Sequence, residues 1–132
     1  MSRPPKKIYY AHAMPIYGSK VEAREKCHIT KNFPEHDIVD PGSFEDNPEK
    51  KKGGMAYCLK LVESCDALVF TRFYDEITSG VGQEINHAIK NKIAVYELKQ
   101  GRITKIKKPV TYLSMDETVG LYFKIGYYSS YI

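Results

Sequence analysis

No run of eighteen apolar residues occurs in this sequence, so no segment is a candidate membrane-spanning helix. The opening residues, Met1 to Lys7, lack the apolar core of a secretory signal, and the expected location is cytoplasmic. Three cysteines, Cys27, Cys58 and Cys65, form an odd set without CxxC spacing. That excludes a disulfide framework and a zinc site of the usual spacing, and reduced thiols are expected. Strong charge of one sign is also missing: the net +4 comes largely from lysines at both ends and at Lys50 to Lys52. Such a balance suits an anionic small ligand and does not point to nucleic acid.

A length of 132 residues fits one domain spanning 1–132. The run Lys7 to Ala13 reads as a strand that ends before Pro15 and Gly18. A charged, solvent-facing helix is expected from Lys20 to about Lys31, then a short strand over Asp37 to Asp40, stopped by Pro41. Residues 42–54, rich in Gly, Pro, Asp and Lys, read as a mobile surface loop, a possible lid. Met55, Cys58, Leu59 and Val62 form one apolar helical stripe with Lys60 and Glu63 facing outward.

Ala67-Leu68-Val69-Phe70 is the continuous apolar run of a strand buried on both faces. A helix carrying Ile85, Ala88 and Ile89 follows, then a strand from Ile93 to Tyr96. The alternation predicts an α/β fold with a doubly wound parallel sheet. Lys99 to Lys108 reads as an exposed hairpin or edge strand, and Ser114 to Glu117 as a capping box opening a helix to about Lys124. The aromatic ending, Tyr127 to Ile132, is expected to pack on the domain or on a second subunit.

Ligands of open α/β sheets settle beyond the carboxyl ends of the strands. The loops there begin near His12, Pro41 and Arg72, and the third carries Ser79-Gly80-Val81-Gly82-Gln83-Glu84. Its two glycines permit close backbone approach to a ligand, while Glu84 is expected in the first turn of the next helix, held ionised by the helix N-terminus. A carboxylate so placed attacks or supports an anomeric carbon gaining oxocarbenium character, or merely complements the helix dipole.

These residues resemble the nucleoside 2-deoxyribosyltransferase superfamily, and most its 2′-deoxynucleoside 5′-phosphate N-hydrolase branch. The likeness covers about residues 7–98. It rests on Ile8-Tyr9-Tyr10-Ala11, the strand ending in Asp40-Pro41, Ser64 to Val69, and above all Gly80 to Ile85 with Ala88. The resemblance implies a Rossmann-like α/β sandwich that dimerises, with Glu84 as the nucleophile in N-glycosidic cleavage. Position 78 is Asp in transferases and Ser in the monophosphate hydrolases. Here Thr78 and Ser79 stand, and hydroxyls with nearby N–H groups suit a phosphate.

The chain also departs from that pattern. Cys58 occupies the helix position where the family places the Asp that handles the base, and the loop His12 to Gly18 lacks the family's Gly-rich, Arg-bearing phosphate segment. Lys20, Arg24 or Arg72 would have to supply the cation, and Asp75 or Glu76 the acid, unless those acids are only solvated loop charges. His12 is a phosphate donor or acid at the ligand face, or a structural strand-end hydrogen bond. Tyr9, which matches a family position, and Tyr17 are candidates to stack on a base, although aromatics there are commonly core. Asp66 is expected to be structural, and His87 either meets Glu84 or faces solvent.

The expected protein is therefore a nucleoside or nucleotide N-glycosidase-like enzyme acting on a small molecule, without cofactor or metal, and a homodimer. Its catalytic residue is Glu84 and its substrate-binding residues are Tyr9, His12, Thr78, Ser79, Gly80 and Gly82. The alternatives are a silent nucleotide-binding domain of the same fold and a flavodoxin-like interaction domain in which the glycine-rich turn serves packing.

Overall fold

A computed structural model describes residues 6–127. Five strands form one sheet in the order β2-β1-β3-β4-β5: β1 (Lys6–Ala11), β2 (His36–Val39), β3 (Ala67–Phe70), β4 (Ala94–Lys99) and β5 (Arg102–Ile106). The first four are mutually parallel, and β5 returns antiparallel along the edge. The turn joining β4 to β5 places Gln100 and Gly101 at φ of 52° and 76°, the left-handed pair of a tight hairpin.

Strand alternation divides the core in two. Tyr9, Ala11, Leu68, Phe70 and Val95 face one cluster with residues of α3 (Met55–Glu63) and α4 (Ser79–Lys90). Ile8, Tyr10, Ala67 and Val69 face another, with Ile29 of α1 (Lys20–Asn32). β3 is buried along its whole length because both of its faces are covered. Asp66 lies at the far end of the sheet, where its backbone N–H donates to the Lys7 carbonyl and its Oδ2 accepts from the Lys7 N–H, both at 2.8 Å. Its role is structural.

The segment read as a mobile loop is built instead from a 3-10 turn at Pro41–Phe44 and a short helix, α2 (Pro48–Gly53). Asx-type caps from Asp40 and Asn47, each followed by proline, start these turns. Gly54 then redirects the chain into α3 with φ 55° and ψ −127°, a conformation that favours glycine. The last helix, α5 (Met115–Lys124), begins with the expected capping box between Ser114 and Glu117. Only Tyr127 of the aromatic ending lies within the described residues.

The segment between β5 and α5 is fastened along α4. Asn86 donates to the Val110 carbonyl at 2.9 Å and accepts from its N–H at 2.8 Å, and the Leu113 N–H donates to the Ile77 carbonyl at 2.9 Å. Gly82 makes this approach possible, since a Cβ there would stand 2.1 Å from Tyr112 Cγ and 2.4 Å from its Cβ. Both atoms are close to the Tyr112 backbone, so a rotamer change does not relieve the clash. Gly82→Ala is expected to destabilise the fold by about 1–3 kcal/mol, read from urea unfolding. An unchanged or raised midpoint, as helix propensity alone predicts, contradicts this packing.

Candidate active site

Beyond the carboxyl ends of β1 and β3, where the direction of the strand order reverses, lies a cavity of about 310 Å³. Its walls come from five places. His12, Ala13, Met14 and Tyr17 follow β1, Glu45 and Lys50 follow β2, and Gly54, Met55 and Cys58 belong to the start of α3. Thr78, Gly80, Val81 and Glu84 come from the start of α4, and Met115, Thr118, Val119 and Tyr122 from α5.

Glu84 is the buried carboxylate of this cavity, 4% exposed. The helix starts at Ser79, so Glu84 sits in its second turn rather than the first. Tyr9 Oη donates to Glu84 Oε2. Burial pushes the Glu84 carboxyl up to about 7, against the opposing pull of the Tyr9 hydrogen bond and the Lys50 charge. The expectation of a first-turn carboxylate held ionised by the helix N-terminus is thereby corrected, because desolvation outweighs a dipole whose influence fades within one turn.

Tyr9 is fully buried in the core and reaches the site through its hydroxyl alone, so it positions Glu84 rather than stacking on a ligand. Burial, then the neighbouring Glu84 charge, hold that hydroxyl protonated and raise its pKa well above the ordinary tyrosine range. Tyr9→Phe removes a hydrogen bond that favours the charged carboxylate. The acid limb of any Glu84-dependent activity should move upward from about 7 in this variant, measured as kcat/KM against pH. A limb that stays in place or moves down contradicts the assignment.

The helix N-terminus at the cavity is only partly spent. Ser79 N–H donates to Thr118 Oγ1 at 2.9 Å and Gly82 N–H to the Thr78 carbonyl at 2.8 Å. The N–H groups of Gly80 and Val81 carry no hydrogen bond among the described residues, and both residues line the cavity beside Thr78. Of the sequence-predicted phosphate ligands, Thr78 and Gly80 therefore meet the cavity. Ser79 and Gly82 do not line it: Ser79 Oγ accepts from Gln83 at 3.1 Å, and Gly82 packs under Tyr112.

His12 borders the cavity with both ring nitrogens engaged. Nδ1 lies 2.9 Å from the Tyr10 carbonyl and Nε2 2.8 Å from Glu22 Oε2, while the ring stacks on Tyr10 at 3.6 Å. Neither nitrogen is left for a ligand, which favours the structural alternative for this residue. His12 Nε2 and carboxylate oxygens of Glu22 and Asp40 lie within 4.8 Å of one another and are the one metal-type donor set among the described residues. Lys26 supplies positive charge there, at 2.5 Å from Asp40 and 3.5 Å from Glu22.

The other candidates lie elsewhere. Asp75 and Glu76 belong to a tight turn bridged between Phe73 and Glu76, and neither lines the cavity. Arg72 pairs with Glu97 at 2.8 Å, and His87 with Glu63 at 2.7 Å. Lys20 and Arg24 are exposed on α1. The cation at the cavity is Lys50, whose Nζ donates to the Pro41 carbonyl at 2.8 Å and to Glu45 Oε1 at 2.6 Å. Cys58 does line the cavity, and burial together with the Glu84 charge keeps its thiol neutral. As a thiol it does not supply the carboxylate that the resemblance implies at this position. No family model, curated protein or solved structure matches this chain.

Proposed function

We propose that this protein cleaves the N-glycosidic bond of a deoxynucleoside 5′-monophosphate, or transfers its deoxyribosyl group, with Glu84 as nucleophile. The observation that carries the reading is the buried Glu84 carboxylate, oriented by Tyr9, beside a cavity of about 310 Å³. That volume falls at the lower end of small-molecule sites, roughly 300–1,000 Å³. In its ionised form Glu84 attacks C1′, the C1′–N bond breaks with its electron pair going to the base, and a glycosyl ester remains. Water or a second base then resolves the ester and restores the carboxylate. Thr78 and the N–H groups of Gly80 and Val81 suit the 5′-phosphate, as donors at a helix N-terminus.

The reading carries a Rossmann-like, flavodoxin-like three-layer fold, a cytoplasmic location matching a phosphorylated substrate, and a homodimer. The exposed apolar side chains of Tyr112 and Met115, just before and at the start of α5, support self-association. Light scattering on the purified protein should return twice the chain mass, and a monomer mass removes the dimer from the proposal.

The test of the activity is incubation with a panel of deoxynucleoside monophosphates and deoxynucleosides, with free base followed by chromatography. Base released from monophosphates in preference to nucleosides supports the reading. Absence of release from every member, with thermal shifts on nucleotide addition, moves the assignment to a silent nucleotide-binding domain. The neutral Cys58 thiol, standing where the resembled family places a carboxylate, is the observation that favours this second reading.

A further inference from the structure

We propose that Lys50 is the proton donor to the departing base, a role that rests on the glycosidase reading above. An N-glycosidic bond breaks readily only if the leaving base accepts a proton or a strong hydrogen bond, and Cys58 offers neither. Among the described residues that line the cavity, Lys50 is the only lysine or arginine. Its side chain is 13% exposed and its Nζ is fixed by the Pro41 carbonyl and the Glu45 carboxylate. An ammonium has three N–H donors, so one remains after these two bonds. The Tyr17 ring lies 5.9 Å from Nζ, forming an aromatic flank beside that ammonium.

The sheet order places these groups in sequence. Lys50 belongs to the connection after β2, Glu84 is bonded to Tyr9 of β1, and the free N–H groups of Gly80 and Val81 follow β3. With β1 between β2 and β3, a sugar over Glu84 has the N–H groups toward one side and the ammonium toward the other. A phosphate on the α4 N-terminus therefore directs the base to Lys50 and Tyr17. As the C1′–N electron pair passes to the base, the proton from Nζ follows it, and the base leaves neutral with Lys50 as an amine. Water then attacks C1′, the ester bond to Glu84 breaks, and the proton lost by water restores the ammonium. Glu45 acts as a positioning residue that holds Nζ throughout.

The experiment compares Lys50→Gln and Lys50→Arg with the unaltered protein on two substrates. One is the best nucleotide of the panel, and the other is 4-nitrophenyl 2-deoxyribose 5-phosphate, whose phenolate leaves without a proton. Lys50→Gln is expected to slow base release about 100-fold or more at similar KM, with nitrophenolate release within about tenfold of the unaltered protein. Lys50→Arg keeps the charge but holds its proton, so it stays slow on the nucleotide. Equal losses on both substrates, unchanged base release, or full nucleotide activity in Lys50→Arg overturns the role. Should the unaltered protein release neither base nor nitrophenolate, the glycosidase reading fails first and Lys50 falls with it.

Discussion

Glu84→Gln will slow base release by on the order of 10⁴-fold or more while changing KM for the nucleotide little. The amide is nearly isosteric with the carboxyl, and its carbonyl still accepts from Tyr9, so the cavity keeps its shape. What disappears is the oxygen able to bond C1′ and to carry the charge that balances an oxocarbenium-like centre. Chromatography of free base after long incubation, at nucleotide concentrations well above KM, measures it. Release within about tenfold of the unaltered protein would leave Glu84 as a bystander, because nucleophile removal costs orders of magnitude more.

The same variant should be the more stable protein at neutral and alkaline pH. Glu84 has an ordinary carboxyl pKa of 4.5 in the unfolded chain and about 7 when folded. A carboxyl raised on folding contributes stability that is fully present below pH 4.5 and is lost as pH rises through about 7. Glutamine has no proton to lose and escapes this cost. A separation of about 2.5 units corresponds to on the order of 3 kcal/mol, or about 10 °C in Tm for a domain of this size. Calorimetry should find Glu84→Gln ahead at pH 8 and level with the unaltered protein at pH 4. Equal melting temperatures at pH 8 would mean that the carboxyl ionises in the fold as freely as in the unfolded chain.

On the proposed reading, activity and stability oppose one another at this residue. A desolvated carboxyl that costs stability where an amide would not is what the proposed chemistry requires of Glu84. The pair with Tyr9 moderates this opposition, since the phenol hydrogen bond favours the charged form that the proposed attack would use.

Much of the architecture was legible in the sequence because local pattern and tertiary burial agree. Ala67 to Phe70 reads as a buried strand and sits at the centre of the sheet, while the Met55 to Val62 stripe turns Cys58 and Val62 inward. Ser114 and Glu117 announce their helix by chemistry confined to one turn. The run 42–54 reads as a loop because Gly, Pro and Asp are common in loops. The same residues also cap and start short helices, and composition does not separate the two uses.

The site was legible only where it is local. Glu84, Thr78 and Gly80 share one segment and meet at one cavity. Lys50 and Glu45 were hidden in a charged stretch, and only the basic run at Lys50 to Lys52 gave any signal of a cation. The contribution of Thr118 depends on where α5 docks, which a capping box does not specify. Glu84's raised pKa follows from its burial in the folded chain, a tertiary property that a helix-position argument does not contain.

The most direct test of the central claim is to capture the glycosyl ester on Glu84. A 2′-deoxy-2′-fluoroarabinonucleoside 5′-monophosphate, whose fluorine disfavours positive charge at C1′ and slows both steps, would be incubated with the protein and the product weighed by intact and peptide mass spectrometry. The account predicts a fluorosugar phosphate adduct on the peptide containing Glu84, absent from Glu84→Gln. Release of base from natural nucleotides with no adduct at Glu84, or an adduct on another residue, would contradict it.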